Sequence, residues 1–595
     1  MIISVLTKRY NDLNARGEIS ARGWSHDPVS YGICLQENGE VLNIASLLQK
    51  VAIPQKGKAK DGKKATKEIL RPRQDINIPA KAGRKSDIKA YFLSDNAKYL
   101  LGIDAQAPSE RVKKCFEASA KLHHELLDNV DTPIAHAITS FFDKWDPLKA
   151  KEHPALKDKY EDIVKSGNLI FMLDGKFPDS DSAICDAWQK YYDAPGDGPV
   201  RRCLATGEMD EIAATHPVIK GIKGSQPSGA SLSSFNCDSF CSYGKKQNFN
   251  APVGKKAAFA YATALQQMRD DRQHQQIIGN TTMFYWAEGS EPQYADVLGM
   301  EITGDVPDSM QEDLAAAIKL IIDGKPCEKL ELDPNRTFYV LGIDSNSSRF
   351  IVRFFYQNSF GEFMERINEH YAGLEIEKPA YEKAKILPLW QMMAETVKKN
   401  AKDKSPSATL TNAVFRSIWT GDKYPTALFS SIMLRIRADR DVNWKRAAII
   451  KAYMLRNIAN KELKEVLIVG LNENSTNIPY TLGRLFALLE YTQKAALKDI
   501  KSTIKDKYLN SASSTPSVVY PMLIKLCQHH LRKLNDKQRI WYSKQITELM
   551  GILGETYPVR LNLAEQGTFM LGYYHQVQKF YTKKDKDMPN EEENQ

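Results

Sequence analysis

From about Leu387 onward the apolar residues of this chain recur at helical spacing almost without a break. Leu482, Leu485, Phe486 and Leu489 stand at i, i+3, i+4 and i+7, the stripe that an amphipathic helix turns toward a core. Leu523, Leu526, Cys527, Leu531 and Leu534 repeat it, with Lys525, Gln528, Arg532 and Lys533 on the opposite face. Tyr542, Ile546, Leu549, Met550 and Leu553 make another stripe, stopped by Gly554, a residue suited to the position just past a helix end. Phe569, Tyr573, Val577 and Phe580 make a further one. Successive helices of this kind bury their stripes against one another, so residues 381–584 are expected to form an all-α C-terminal helical bundle with a basic exterior. The tail 585–595 is too polar to pack and is expected to be disordered.

Upstream the period changes, and the expected class is an α+β N-terminal region with a mixed or antiparallel sheet and a basic loop. A first helix carries Ile3, Leu6, Tyr10 and Leu13. Tyr31, Ile33 and Leu35, then Val41, Asn43 and Ala45, alternate as strands do, and Asn38-Gly39 between them suits a tight type I′ turn. Phe92, Leu93, Tyr99, Leu100 and Leu101 return the chain to a core. Val112, Phe116, Ala120 and His124 predict one helix, and Pro133 opens the next, around Ala135 to Phe142. Ile170 to Leu173 reads as a strand and Ser182 to Tyr192 as a helix bearing Trp188. Phe338 to Ile343 and Arg349 to Tyr356 read as strands joined by a Ser/Asn turn at 344–348, with Arg349 and Arg353 facing outward and a helix following from Phe360 to Tyr371. These readings divide the chain into an N-terminal α+β unit (1–108), a central α+β region (109–380), and the bundle (381–584).

Charge is distributed unevenly. The net charge is +9, yet 56–89 alone carries +8 and 401–584 carries +15, leaving the remainder at −14. Two basic regions on an acidic chain point to a polyanion, because neutralised phosphates release counterions. The basic insert contains Lys63, Lys64, Arg71, Arg73, Gln74, Asn77, Lys81, Arg84 and Lys85, interrupted by Gly57, Gly62, Pro72, Pro79 and Gly83. It reads as an extended loop that orders on a phosphate backbone. In the bundle, Arg435, Arg437, Lys445, Arg446, Lys525, Arg532 and Lys533 are candidates to track a single strand.

A third feature lies between Cys203 and Trp286. Gly221, Gly224, Pro227 and Gly229 punctuate a Ser-rich stretch flanked by Lys220 and Lys223, with Ser225, Gln226 and Ser228 at its centre. Such a backbone can approach a ligand closely and offer N–H donors beside two cations. A second loop holds Tyr243, Gly244, Lys245, Lys246, Gln247, Asn248 and Asn250, residue types that contact phosphates and base edges. Phe235, Phe240, Tyr243 and Phe249 argue against disorder, and Ala257 to Met268 reads as a buried helix beneath the loops.

Several chemistries find no foothold. Neither GxxxxGK[ST] nor GxGxxG occurs, so no nucleotide-binding loop is expected. The eight scattered cysteines fit a reduced, cytoplasmic protein, and no run is apolar enough for a signal peptide or a membrane span. Cys203, His216, Cys237 and Cys241 could be drawn as a zinc site, but a three-residue gap flanking Phe240 reads as buried free thiols. Asp179 and Asp181 stand before a helix and read as caps, and His26-Asp27 and His529-His530 have no partners at suitable spacing. With no nucleophile, base and orienter assembled, no catalytic centre, metal or cofactor is expected. The alternative is a stand-alone metal-dependent nuclease or other nucleic-acid-modifying enzyme, which would rest on His26, Asp179 and Asp181.

The runs HPVIKGIKGSQPSGASLSSFN and FCSYGKKQNFNAPV, with DNAKYLLG, YTLGRLFALLEYTQ and EQGTFMLGYYHQVQKFY, resemble the large subunit of type I-C CRISPR interference complexes of the Cascade type. The resemblance spans the chain, and the Lys-rich insert at 56–67 is unusually long for it. It implies a non-catalytic subunit of an RNA-guided assembly. Its partners would be a guide RNA–protein complex with backbone and small subunits, target double-stranded DNA with its displaced strand, and a helicase-nuclease. Guide pairing would read the long sequence while this subunit reads a short protospacer-adjacent motif and aids opening of the duplex, a division of labour known in another RNA-guided effector. The basic insert, the loops at 220–229 and 245–250 and the small-subunit-like bundle are then the expected contact regions.

Overall fold

The computed structural model describes all residues except 59–63, 82–87, 106–108, 166, 195, 197, 272–273, 279, 305, 385, 400, 402–404, 459, 498–499 and 582–595. For 52–58, 64–67, 308, 461 and 462 it describes the backbone alone. The chain forms two compact units: Met1–Pro217 with Ser234–Ala264, and Val218–Ser233 with the residues from Leu265 onward. An N-terminal region of α/β character is followed by a mainly helical C-terminal region.

The first unit opens on the helix Ile2–Ala15, which buries Leu6, Tyr10 and Leu13. Its strands are β1 (Trp24–Ser25), β2 (Val29–Leu35), β3 (Val41–Ser46), β4 (Gln49–Lys58), β5 (Lys64–Arg71), β6 (Ile78–Pro79), β7 (Ser94–Asp95), β8 (Asn168–Leu173), β9 (Val200–Arg202) and β10 (Met209–Glu211). A four-stranded mixed sheet runs β3-β2-β8-β7, with β2 and β8 parallel and the outer pairs antiparallel. As an inner strand, β2 is buried nearly throughout, on both faces. A side chain at Gly32 would overlap Met172 Sδ, so the sheet closes over a residue without one. Helices Glu110–Leu127 and Pro133–Lys144 cover this sheet, and Ile33, Leu100, Ile138, Phe141, Leu169 and Phe171 meet in one core.

Three local expectations change here. The β2–β3 hairpin forms, but not on a type I′ turn, which needs positive φ at both central residues. Only Gly39 turns left-handed (φ 85°), Gly39 N–H donates to Gln36 O at 2.9 Å, and the ladder carries a bulge at Cys34/Leu35. The helix Glu110–Leu127 buries Val112, Cys115, Ser119, His123 and Leu127, so its inward face lies one residue before the expected stripe over most of its length. The basic insert is not an extended loop over 56–58 and 64–71. Strands β4 and β5 pair antiparallel from Gln49↔Arg71 to Lys58↔Lys64. Strand-forming Val51 and Ile69 face a ladder that satisfies the backbone without a core, which the charge obscures in the sequence.

His123 illustrates how the first core is tied together. It is fully buried; its Nδ1 donates to Ser119 O at 2.7 Å and its Nε2 accepts from Leu93 N–H at 3.0 Å. Both nitrogens are used by the neutral ring, and burial holds its pKa down at about 4.

In the second unit, β11 (Gln275–Ile278), β12 (Thr281–Ala287), β13 (Thr337–Asn346) and β14 (Arg349–Ser359) form an antiparallel meander in that order. The β13–β14 turn is tighter than expected, two residues with Ser347 at φ 60°, because pairing runs on through Asn346↔Arg349. The half-exposed Arg353 reaches the buried Asp344 at 2.6 Å, an ion pair rather than a purely solvent-facing side chain. The helix Phe360–Leu374 packs on this sheet and links it to the bundle. The bundle is centred on Ile478–Ala496, which is buried all round from Tyr480 to Glu490 rather than along one stripe. It lies against Leu563–Tyr581 through a pair of glycines: a methyl on Gly483 would overlap Phe569 O, and one on Gly572 would overlap Tyr480 O. No helix among the described residues is long and apolar enough to cross a membrane.

Candidate nucleic-acid interface

In the first unit, the stretch after β10 is held from below. Cys203 Sγ accepts the N–H groups of Gly254 (3.2 Å) and Ala205 (3.3 Å). His216 Nδ1 meets Tyr261 Oη at 2.9 Å. Burial would raise the Cys203 thiol, but the N–H groups pointing at sulfur outweigh it and hold its pKa below the ordinary value. Asn248 is buried (2 % exposed) and both its backbone N–H and its Nδ2 donate to Ala214 O. It anchors the loop and presents no group to a partner.

Above that anchor, Asn250 ties the loop into a fixed shape. Its Oδ1 accepts Ser242 N–H at 2.8 Å, and its Nδ2 donates to Gln247 O (2.8 Å) and Lys245 O (3.2 Å). Tyr243, Gly244 and Gln247 all take positive φ (54°, 68°, 49°). A left-handed non-glycine residue costs about 1–2 kcal/mol, so two of them in one loop need such ties. The outcome is that Lys245, Lys246 and Gln247 are exposed, and Tyr243 beside them stands 97 % exposed. Two cations, an amide and an aromatic face on one stiff loop can meet phosphate, base edge and base face respectively.

In the second unit, the Gly/Ser stretch Val218–Ser233 builds onto the tip of the β13–β14 hairpin. Gln226 N–H donates to Ser347 O (3.1 Å) and its Nε2 to Ser347 Oγ (2.6 Å); Ser231 N–H donates to Ser348 O, and Phe350 N–H to Ser231 O. Ile219 and Ala230 exchange backbone bonds across the loop, and Gly229 at φ 97° makes the turn. Ser225 Oγ donates to Ile222 O and Ser228 Oγ to Gln226 Oε1. The amide of Gln226 and the hydroxyl of Ser225 therefore shape the loop, while Lys220 and Lys223 are the exposed cations. Arg269 Nη1 holds Lys220 O at 2.7 Å.

The candidates of the basic insert are placed as follows. Arg71 and Gln74 are exposed. Arg73 makes a two-point contact with Asp75 (2.6 and 2.9 Å) above the Phe177 ring. Lys81 Nζ lies 5.7 Å from the Tyr91 ring centre and 3.5 Å from Ser94 Oγ. Asn77 N–H donates to Asp179 Oδ2. Lys63, Arg84 and Lys85 lie outside the described residues, as does the side chain of Lys64.

The bundle candidates separate sharply by environment. Lys525, Arg532 and Lys533 are exposed along and just beyond the helix Pro516–Leu531. Arg446 is 1 % exposed and bound to Glu395 (2.8 Å), Asp439 (2.6 Å) and Asp441 O (2.9 Å), so it is a structural cation with no face for a strand. Arg435 leans toward Asp439 at 3.9 Å, Arg437 donates to Gln566, and Lys445 lies over the Trp444 ring.

The tempting catalytic groups are otherwise occupied. Asp181 caps the helix Ser182–Tyr192 by accepting Ala183 and Ile184 N–H groups, Asp179 holds Asn77 and is raised in pKa by burial, and His26 faces Ser20 Oγ. Cys237 is exposed and Cys241 half-buried, with Phe240 43 % exposed, which corrects the expectation of buried thiols; the surface turn Asp238–Phe240 carries them outward. Among the described residues no three His, Cys, Asp or Glu side chains stand close enough to hold a metal. Tyr243 is the residue that spacing does not single out. In the sequence it stands in the loop of residue types that contact phosphates and base edges and is one of four aromatics that argue against disorder, with nothing to separate it from the other three.

No curated protein matches this sequence. A family model described as CRISPR-associated protein (Cas_Csd1) matches residues 6–581, which takes in both units and nearly the whole chain. The protein belongs to the Cas_Csd1 family of CRISPR-associated proteins.

Proposed function

We propose that this protein is the large subunit of a type I-C Cascade-type complex, a non-catalytic subunit that reads the protospacer-adjacent motif on duplex DNA. Family membership supports a Cascade-type subunit. The observation that carries the DNA-reading role is the 242–250 loop, where Lys245, Lys246 and Gln247 are held outward by a buried asparagine and a three-bonded one. Preset cations engage phosphates without paying loop-ordering entropy at binding, and a fixed amide can then discriminate base edges. The loop at 220–229 offers two further phosphate contacts, Lys220 and Lys223.

In this reading the β4–β5 ribbon and the residues to Lys89 clamp the duplex backbone, helping to open it. The exposed face Lys525, Arg532 and Lys533 holds the displaced strand while guide RNA pairs with the other. The helicase-nuclease docks on the assembled complex in the cytoplasm and supplies the cutting. The stand-alone nuclease reading gains no support from the placement of Asp179, Asp181 and His26.

The test is charge reversal at Lys81, Arg84 and Lys85 in the guide-loaded assembly. Target binding and interference are lost while the subunits still co-purify. Normal target binding by that variant removes the clamp from the account.

A further inference from the structure

Tyr243 has a combination of properties that packing does not require. It is an aromatic side chain left 97 % exposed, on a left-handed backbone, in a loop whose neighbours are locked by Asn250 and Asn248. A surface turn can carry any small polar residue there without removing a ring from the core. Its loop is cationic: Lys245 and Lys246 follow it after Gly244, and the sequence has no carboxylate between Asp238 and Asp270. Lys245 and Lys246 have no ion-pair partner among the described residues. A side chain meeting a protein partner would be expected among apolar neighbours, whereas an isolated ring flanked by free cations suits a nucleobase flanked by its phosphates.

We propose that Tyr243 is a base-stacking residue: its ring lies on the face of an unpaired DNA base while Lys245 and Lys246 hold the adjoining phosphates. Asn250 is the positioning residue. Its three bonds to Ser242, Lys245 and Gln247 fix the distance between ring and cations, so the loop behaves as one unit. The inference rests on the DNA-recognition reading above and names the contact that would hold a base once the duplex opens. Every base has an aromatic face, so the contact is insensitive to sequence and adds to affinity and opening rather than to motif choice.

The experiment uses the full-length chain in its guide-loaded assembly and a target duplex with 2-aminopurine in the displaced strand beside the flanking motif. The wild type quenches the fluorescence that an unstacked 2-aminopurine would show. Tyr243→Ala leaves it bright and weakens binding roughly 5- to 100-fold. Tyr243→Phe restores both, because the ring and not the hydroxyl makes the contact. Asn250→Ala weakens binding with Tyr243 intact and leaves incomplete quenching, which a purely structural role of Tyr243 would not produce. Wild-type affinity in Tyr243→Ala, or no rescue by Tyr243→Phe, overturns the stacking role while leaving the DNA-recognition reading standing. So does loss of a protein subunit from the Tyr243→Ala assembly, which would make Tyr243 a protein contact. A larger loss on a single-stranded RNA than on the DNA assigns the ring to the guide and overturns the proposal as stated. If the wild-type assembly binds no target at all, the functional reading fails and takes this inference with it.

Discussion

Replacing Gly483 by Ala adds one methyl group at the point where the two central helices of the bundle touch. The new carbon would overlap Phe569 O and stand 2.7 Å from Tyr573 N and 2.9 Å from Phe569 C, all of them backbone atoms that cannot swing aside. Ordinary carbon contacts lie at about 3.5–4.0 Å, so Ile478–Ala496 and Leu563–Tyr581 must part by about 1 Å. A gap of that size forfeits about a quarter to a half of each dispersion contact across the seam. It also stretches Tyr480 Oη–His575 Nδ1 (2.8 Å), Arg484 Nε–Gln576 Oε1 (3.2 Å) and Tyr573 Oη–Glu490 Oε2 (2.6 Å). Overpacking costs about 1–3 kcal/mol, sometimes more, and each strained hydrogen bond adds a fraction of about 1 kcal/mol. Better helix propensity returns about 1 kcal/mol. The net expectation is destabilisation by about 2–3 kcal/mol, read as a lower urea midpoint of the full chain with an unchanged slope. Gly551→Ala is the control, since a methyl there meets nothing within 4 Å in the helix Asp536–Leu553, and it should stabilise by up to about 1 kcal/mol. Equal midpoints for Gly483→Ala and wild type would refute the close-contact reasoning.

Arg446→Ala leaves Glu395 and Asp439 without their buried cation and should cost about 3–5 kcal/mol in urea unfolding, with DNA affinity of the folded variant unchanged. Lys245→Ala/Lys246→Ala does the reverse: stability stays level, while the slope of log affinity against log salt falls by about 2 in a filter-binding series. Acid stability follows from four buried imidazoles. Burial holds His123 and His216 down at about 4 and His370 and His575 at about 3, with Arg456 and Lys451 adding to the last two. The unfolded chain binds these protons from pH 6.5 downward and the folded one does not, so their contribution is complete above pH 6.5 and falls as the pH drops toward 4. Each imidazole should account for up to about 1.4 kcal/mol per pH unit in that window, measured as urea midpoint against pH; a flat profile between pH 6.5 and 4.5 contradicts the neutral, buried assignment.

The bundle is readable from the sequence because a 3.6-residue period and Gly554 after Leu553 point to the same helices. What period cannot reveal is depth. Leu482, Leu485, Phe486 and Leu489 make one stripe, but the polar Arg484 and Glu490 are buried too, because partners Gln576, Tyr573 and Thr503 come from elsewhere in the chain. The same limit separates the cations. Arg446 and Arg532 look alike in sequence, and the distant Glu395 together with Asp439 takes the first inside. The β4–β5 ribbon is hidden because charge dominates its composition, whereas ladder formation depends on backbone pairing. The 242–250 loop is recognisable by its residue types, but Asn248 is buried and bound to Ala214 O while Lys245 is exposed, a difference that residue type does not show.

The central claim is that this protein reads a short motif on duplex DNA, and a gel shift at fixed salt tests it directly. The guide-loaded assembly is titrated onto matched duplexes that differ only in the flanking motif, using wild type, Arg84→Ala/Lys85→Ala and Lys245→Ala/Gln247→Ala. The account predicts that wild type prefers one flank by tenfold or more, about 1.4 kcal/mol, and that the 245/247 variant loses that preference while the 84/85 variant binds all flanks more weakly. Equal affinity of wild type for every flank would contradict the account.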